Sequence, residues 1–246
     1  MSADDQFDAL GAMYEEMFLL PWRRYLESFS VFAELGAVAG GSVLDIGCGT
    51  GLYSRELKRR GAARVLGHDI SEGMLGLARR AERAEPLGVE YTERADGIDD
   101  GAFDAAVAVY VLPYAEDYAE LVTLCALAAR ALRPGGRFVT LPVNPDFDGE
   151  RTSYERYGLR LVEAEPRRDA SRVTLELCFG RYDERITARY WSRATLERAL
   201  REAGFASVRW PAFQVSAEGL ARHGEDFWRP YLTRPHAALI TCTRTG

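Results

Sequence analysis

The sequence predicts an α/β fold: a doubly wound, mostly parallel seven-stranded sheet with an N-terminal helical cover and a small antiparallel insertion. Three observations lead there. Val43–Gly51 reads VLDIGCGTG, an apolar strand running into glycines at every second position. From there to residue 143, apolar strand-length runs alternate with amphipathic helix-length runs, the order that right-handed crossovers wind into a parallel sheet. Past residue 144 the rhythm changes to RLVEAE, RVTLELCF and RITARYW, three strand-like runs at short spacing that suit an antiparallel addition. The chain then returns to helix and strand, so residues 1–246 read as one domain.

Within residues 7–35, Phe7, Leu10, Tyr14, Met17 and Phe18 recur near helical spacing; Pro21 interrupts the run and Trp22 to Leu35 resumes it. This segment precedes the first core strand and so packs outside the sheet. It is either a cover that lends Tyr14, Trp22 and one of Arg23 and Arg24 to a ligand, or a plain amphipathic cap. Val43, Leu44 and Ile46 suit a strand buried on both faces. Gly47 and Gly49 permit a sharp turn and close approach of a ligand, and a helix starting at Gly51 aims unpaired N–H groups at the same spot. LYSRELKRRG is a short helix, with Lys58–Arg60 complementing its C-terminal dipole and Gly61 ending it.

Arg64–Asp69 is the second strand, and Asp69 stands at its tip, about 20 positions past the glycine loop, where nucleotide-binding folds hold a ribose. Residues 71–84 form a helix with Met74, Leu75, Leu77, Ala78 and Ala81 as its apolar stripe, and Leu87–Thr92 is a third strand followed by a loop holding Asp96. Phe103–Val109 is apolar apart from Asp104 and reads as central; Tyr110 to Tyr114 emerge from its C-terminal end, where open α/β sheets bind ligands. Residues 116–132 are helical, and LRPGGRF turns tightly into a strand over Arg137–Val143. Ser192–Ala203 reads as helix, Ala206–Trp210 as strand, 211–235 as irregular and HAALITCT as the last strand.

The bulk composition narrows the classes. A net charge of −6 argues against a general nucleic-acid binder. Cys48, Cys125, Cys178 and Cys242 show no zinc spacing, and no acidic cluster suggests a divalent metal, so no metal is expected and the thiols read as free in a reducing cytoplasm. The N-terminus lacks the apolar core of a signal peptide, and no run of about 18 apolar residues occurs. The expected partner is a small-molecule acceptor rather than a membrane or nucleic acid, with the protein a monomer or a homodimer.

The glycine loop departs from the dinucleotide fingerprint G-x-G-x-x-G: its third glycine comes one residue early, and Asp45 sits two residues before the first. A carboxylate there repels a pyrophosphate and suits an ammonium or sulfonium. The glycine loop, Asp69, Asp96 and the PGG turn stand in order over residues 43–138, and together they resemble the class I S-adenosylmethionine (SAM) methyltransferases. FDALGAMY at the start and WSRATLERALREAGF later extend the likeness over nearly the whole chain, which looks most like bacterial small-molecule enzymes of the toxoflavin-synthase type.

The resemblance implies a Rossmann-like fold, SAM as cofactor, S-adenosylhomocysteine (SAH) as product, and in-line attack on the sulfonium methyl. Residues 1–40 are then the cover, 43–143 the SAM-binding half, 144–191 an insertion near the acceptor and 192–246 the rest of the sheet. Gly47 and Gly49 are implied against the methionine part with Asp45 near its ammonium, and Asp69 on the ribose. Ile70 and Met74 are implied flanking the adenine, Asp96 beside Gly97 reading its amino group, and Tyr14 closing over the cofactor. Tyr110 is implied at both cofactor and acceptor, with Trp22, Tyr114, Asn144 and Tyr157 lining the acceptor pocket. Each acid has a plainer reading: Asp45 as a buried, hydrogen-bonded residue of a packing turn, Asp69 as the first turn of the next helix with Ser71 as its cap, Asp96 as solvated loop.

The expected acceptor is a ring nitrogen of a flat heteroaromatic compound, which needs no general base if its lone pair is free. Tyr110, Tyr114 and His223 are the catalytic candidates, and His236 reads as structural. Alternatives are a small-molecule O-methyltransferase using His223 as base, an NAD-dependent oxidoreductase, and a SAM-binding protein without catalysis.

Overall fold

The computed structural model describes residues 11–147, 151–163 and 167–246, so the expectations on Phe7 and Leu10 lie outside the described residues. Helix α1 spans Gly11–Phe18, and Pro21 opens a second helical stretch, where its missing N–H costs nothing. That stretch widens into a π-helical turn, Arg23–Glu27, before continuing as α2, Ser28–Leu35. The wide turn carries Arg23 and Glu27 inward, and both are buried. Such turns are a recurrent feature of functional sites.

The main sheet contains β1 (Ser42–Ile46), β2 (Arg64–His68), β3 (Val89–Thr92), β4 (Phe103–Val109), β5 (Leu132–Leu141), β9 (Phe205–Arg209) and β10 (Ile240–Arg244). Its order is β3-β2-β1-β4-β5-β10-β9, with β10 antiparallel to both neighbours and the other pairings parallel. Helices α3 (Leu52–Arg59), α4 (Glu72–Ala84), α5 (Tyr118–Ala131) and α6 (Arg193–Glu202) form the crossovers. The period of two sends alternate side chains to opposite faces: Val43, Val65 and Val107 join one apolar core, Leu44, Leu66 and Ala106 the other. Helices α5 and α6 close the second core with Leu121, Cys125, Ala128, Leu196 and Leu200. The chain leaves β1 toward β2 on one side and returns to β4 on the other. That reversal opens a crevice at the carboxyl ends of β1 and β4, between the glycine loop and Tyr110.

Three local expectations are corrected. The PGG segment is not a helix-to-strand turn: β5 starts at Leu132, pairs with Phe103, and resumes register at Arg137 opposite Ala105. The residues between bulge out, with Gly135 at φ +77°. Residues 211–235 are not irregular, since α7 (Ala217–His223) and α8 (Glu225–Thr233) lie there. Ser216 caps α7 by accepting the Gly219 N–H at 3.1 Å. Asp69 lies just past β2 rather than within it.

The insertion forms its own three-stranded antiparallel sheet, β6 (Leu159–Glu163), β7 (Arg172–Phe179) and β8 (Tyr182–Arg189). Val173, Leu175 and Leu177 point one way along β7, and Ile186 and Ala188 stand opposite on β8. This apolar face roofs the crevice. The roof is latched to α1 through Glu16, which accepts from Arg181 at 3.0 Å and from Tyr182 Oη at 2.9 Å.

Candidate active site

The crevice and its roof enclose a cavity of about 270 Å³. At one end lies the glycine loop. Gly47, Gly49 and Gly51 all adopt left-handed backbone (φ +64°, +54° and +82°), which a side chain would strain. A Cβ on Gly47 would come within 2.4 Å of Val111, so the loop after β4 packs directly on that glycine. A Cβ on Gly49 would meet nothing within 4 Å: the space above it belongs to the cavity.

Two carboxylates hold the loop. Asp45 is buried at the end of β1 and accepts a 2.5 Å hydrogen bond from Ser54 Oγ; burial pushes its pKa up to about 7. Asp69 accepts from the Gly49 N–H at 2.7 Å and from the Ser71 N–H at 3.0 Å, tying the tip of β2 to the loop, and burial raises its pKa too. Ser71 in turn caps α4, accepting the Met74 N–H at 3.1 Å.

The opposite wall comes from the N-terminal segment and the tip of β4. Tyr14 and Tyr114 share a side-chain hydrogen bond, and burial raises the pKa of both. Tyr110 is held at φ +58°, an uncommon conformation for an aromatic residue, and its ring lies 5.1 Å from the Arg23 guanidinium. Arg23 gives one nitrogen to Glu27 Oε2 at 3.0 Å, but its Nε has no partner, nor do the hydroxyls of Thr50 and Tyr53. All three residues line the cavity and all three atoms are buried, so this end offers uncommitted polar groups to a ligand.

Of the residues singled out from sequence, the fold brings Tyr14, Trp22, Asp45, Gly47, Gly49 and Asp69 to the cavity wall, together with Ile70, Met74, Tyr110 and Tyr114. Met74 is buried, while Ile70 is 64% exposed at the mouth. Five others lie outside the lining. Asp96 is solvent-exposed and paired with Arg94 at 2.5 Å, and Gly97 shares its short 3-10 turn, so neither faces the cavity. Asn144 is turned toward the chain before β10, donating to the Pro235 carbonyl at 2.8 Å and accepting from the Asp146 N–H. Tyr157 is buried behind Trp22, whose Nε1 donates to the Tyr157 carbonyl at 2.8 Å; its own hydroxyl donates to the Phe227 carbonyl. His223, the base of the alternative O-methyltransferase reading, stacks on Phe227 with ring centroids 4.8 Å apart and lies outside the cavity lining.

His236, read from sequence as structural, does line the cavity, and Glu27 stands behind it. The signal for Glu27 was an acid four residues after Arg23, a spacing that puts opposite charges on one face of a mostly apolar helical stretch. Among the described residues no helix is long and apolar enough to cross a membrane, and no cluster of His, Cys, Asp and Glu could hold a metal ion.

Residues 44–140 match the family described as "Methyltransferase domain". A demethylmenaquinone methyltransferase of Tropheryma whipplei is 39% identical over 119 residues, 48% of this chain and 46% of the relative. The chain thus spans about half the length of the first curated relatives it matches. An N-demethylindolmycin N-methyltransferase of Streptomyces griseus is 30% identical over 173 residues, 68% of this chain and 70% of the relative. Among solved structures, an S-adenosylmethionine-dependent methyltransferase of Mesorhizobium loti superposes with a TM-score of 0.63 at 23% identity, covering 93% of this chain and 100% of that one.

Proposed function

This chain belongs to the class I S-adenosylmethionine-dependent methyltransferases, and on that premise we propose that it transfers a methyl group to a heteroatom, a ring nitrogen, of a flat small molecule. The observation that carries the reading is the division of one cavity into a polar glycine-loop end and an apolar end under the β7–β8 roof. When bound, SAM supplies a methyl group on a positively charged sulfur, already activated for attack.

The residues at hand fit that cofactor. The open space above Gly49 admits its backbone-hugging part, and Asp69 presents a half-buried carboxylate to a hydroxylated sugar. Arg23 Nε, with the hydroxyls of Tyr53 and Thr50, offers unpartnered donors to a carboxylate. Asp45 supplies compensating negative charge below the loop. Ile70 and Met74 flank an apolar slot, and Tyr14 closes over it from α1.

The acceptor's body packs beneath Val173, Leu175 and Ile186, with its reacting atom toward Tyr110 and His236. The chain's contribution is then position and exclusion of water. The Streptomyces relative is named an N-demethylindolmycin N-methyltransferase, which supports the choice of nitrogen.

Mass spectrometry of ligand carried through purification tests the reading. SAM or SAH is the expected passenger; a nicotinamide dinucleotide in its place would contradict it.

A further inference from the structure

Glu27, Tyr110, His236 and Tyr231 close a ring of hydrogen bonds under the acceptor end of the cavity. Glu27 Oε1 lies 2.5 Å from Tyr110 Oη and 2.6 Å from Tyr231 Oη. His236 completes the ring, with Nε2 3.0 Å from Tyr110 Oη and Nδ1 3.0 Å from Tyr231 Oη. Tyr110 and His236 line the cavity; Glu27 and Tyr231 are wholly buried behind them. Arg23 occupies the other oxygen of Glu27, leaving Oε1 to the ring.

The four contacts need four hydrogens, one each. With Glu27 ionised and His236 neutral, the ring owns three: two tyrosine hydroxyls and one imidazole N–H. Burial and the neighbouring Arg23 hold His236 neutral, with a pKa lowered to about 3. A hydrogen added to Glu27 lets every member donate once and accept once around the ring. Burial raises the Glu27 pKa, against the pull of Arg23 and the two hydroxyls, so the carboxylate is disposed to take that hydrogen. The network is one proton short of complete, and its open side faces the cavity through Tyr110.

We propose that this ring takes up the proton released during methyl transfer, and that the acceptor's nucleophilic atom therefore carries an ionisable hydrogen, as a ring N–H or an enolic or phenolic O–H does. The proposal rests on the methyltransferase reading and deepens it. The acceptor's heteroatom forms the bond to the methyl carbon while the carbon–sulfur bond breaks and leaves its electron pair on sulfur. The heteroatom's hydrogen passes as a proton to Tyr110 Oη, whose own proton moves to Glu27 Oε1. Charge balances: the sulfonium's positive charge is lost, and the carboxylate's negative charge is lost with it. Tyr110 is the catalytic residue, Glu27 the proton's destination, and His236 and Tyr231 position the two hydroxyls. The ionisable groups facing Glu27 are Arg23 from its own helix, Tyr110 from the tip of β4, Tyr231 from α8 and His236 ahead of β10, with Tyr53 on α3 beyond them; Tyr154 packs against Tyr231 and His236.

The test compares wild type with Tyr110→Phe, Glu27→Gln and Glu27→Asp, each saturated with SAM carrying a tritiated methyl group. The probes are benzimidazole against 1-methylbenzimidazole, and 4-hydroxyquinoline against 4-methoxyquinoline, pairs in which one member has the hydrogen and the other only a lone pair. Methyl transfer is expected to the hydrogen-bearing members alone. It should fall at acid pH as Glu27 fills with a proton, and Glu27→Gln should remove that acid limb while Glu27→Asp keeps one. Tyr110→Phe should lower kcat about 100-fold with KM and SAH affinity changed less than about threefold, which a merely structural role would not produce. Should Glu27→Gln fail to fold, Tyr110→Phe carries the test alone. Equal transfer to the lone-pair members, an unaltered pH profile in Glu27→Gln, or no transfer to either hydrogen-bearing probe overturns the proposal. Failure of wild type to bind SAH strikes the methyltransferase reading itself.

Discussion

At Gly49 the backbone N–H donates to a carboxylate 20 residues further along, and that bond ties the loop to the tip of β2. Asp69→Ala removes the acceptor for two backbone N–H groups at once. Each orphaned donor costs about 1–3 kcal/mol, so SAH affinity measured by calorimetry should fall at least about tenfold. Gly49→Val acts differently: left-handed backbone strains it by about 1–2 kcal/mol, and its side chain enters the space left for the ligand. Binding should suffer more than the melting temperature; the reverse order would mean that the loop serves folding rather than ligand.

Asp45 makes a pH prediction. Its folded-state pKa of about 7 lies above the ordinary value of 3.8, so between those values the folded chain holds a proton that the unfolded chain has lost. Its contribution to stability is therefore present at acid pH and is lost as pH rises through about 7, a swing on the order of 4 kcal/mol. Asp45→Asn should flatten the dependence of melting temperature on pH across that window, and an unchanged slope would contradict the assignment.

At the scale of elements, the π-helical turn explains how an ion pair sits inside an apolar cover. It places Arg23 and Glu27 on one buried face, 3.0 Å apart. Glu27→Ala leaves the guanidinium buried without its counter-ion and should cost about 3–5 kcal/mol in denaturant unfolding. Adding Arg23→Leu to it should restore part of that loss. The β7–β8 roof makes a separate prediction: Leu175→Trp fills the acceptor end, so methyl transfer should stop while SAH affinity holds.

Elements whose signal is local were legible. β1, β2, β4 and their helices declare themselves by apolar runs and periodicity, and β7 matches RVTLELCF residue for residue. Helices α7 and α8 were not read, because Phe227, Trp228 and Tyr231 look like loop aromatics and Pro230 lies inside α8. Ser216, three residues before Gly219, was the cap that would have found α7. The bulge in β5 was hidden because Pro and Gly pairs read as a turn unless the neighbouring strand is known.

For the whole molecule, the ligand loop was legible and the wall opposite it was not, and the reason is chain separation. The glycine loop and Asp69 fall within one strand–helix–strand unit, so spacing alone relates them. The ring joins Glu27 to Tyr110 and Tyr231, partners 83 and 204 residues away, which only the completed sheet brings together. Asp96 is the opposite case: its place in the order of motifs fits, but it pairs with Arg94 two residues earlier in solvent, outside the cavity lining. The measurement that bears most directly on the account is calorimetric titration of SAH into wild type and Gly49→Val, with NAD titrated in parallel. The account predicts saturable SAH binding by wild type, its loss in the variant and no binding of NAD; NAD binding without SAH binding, or SAH bound equally well by both proteins, would contradict it.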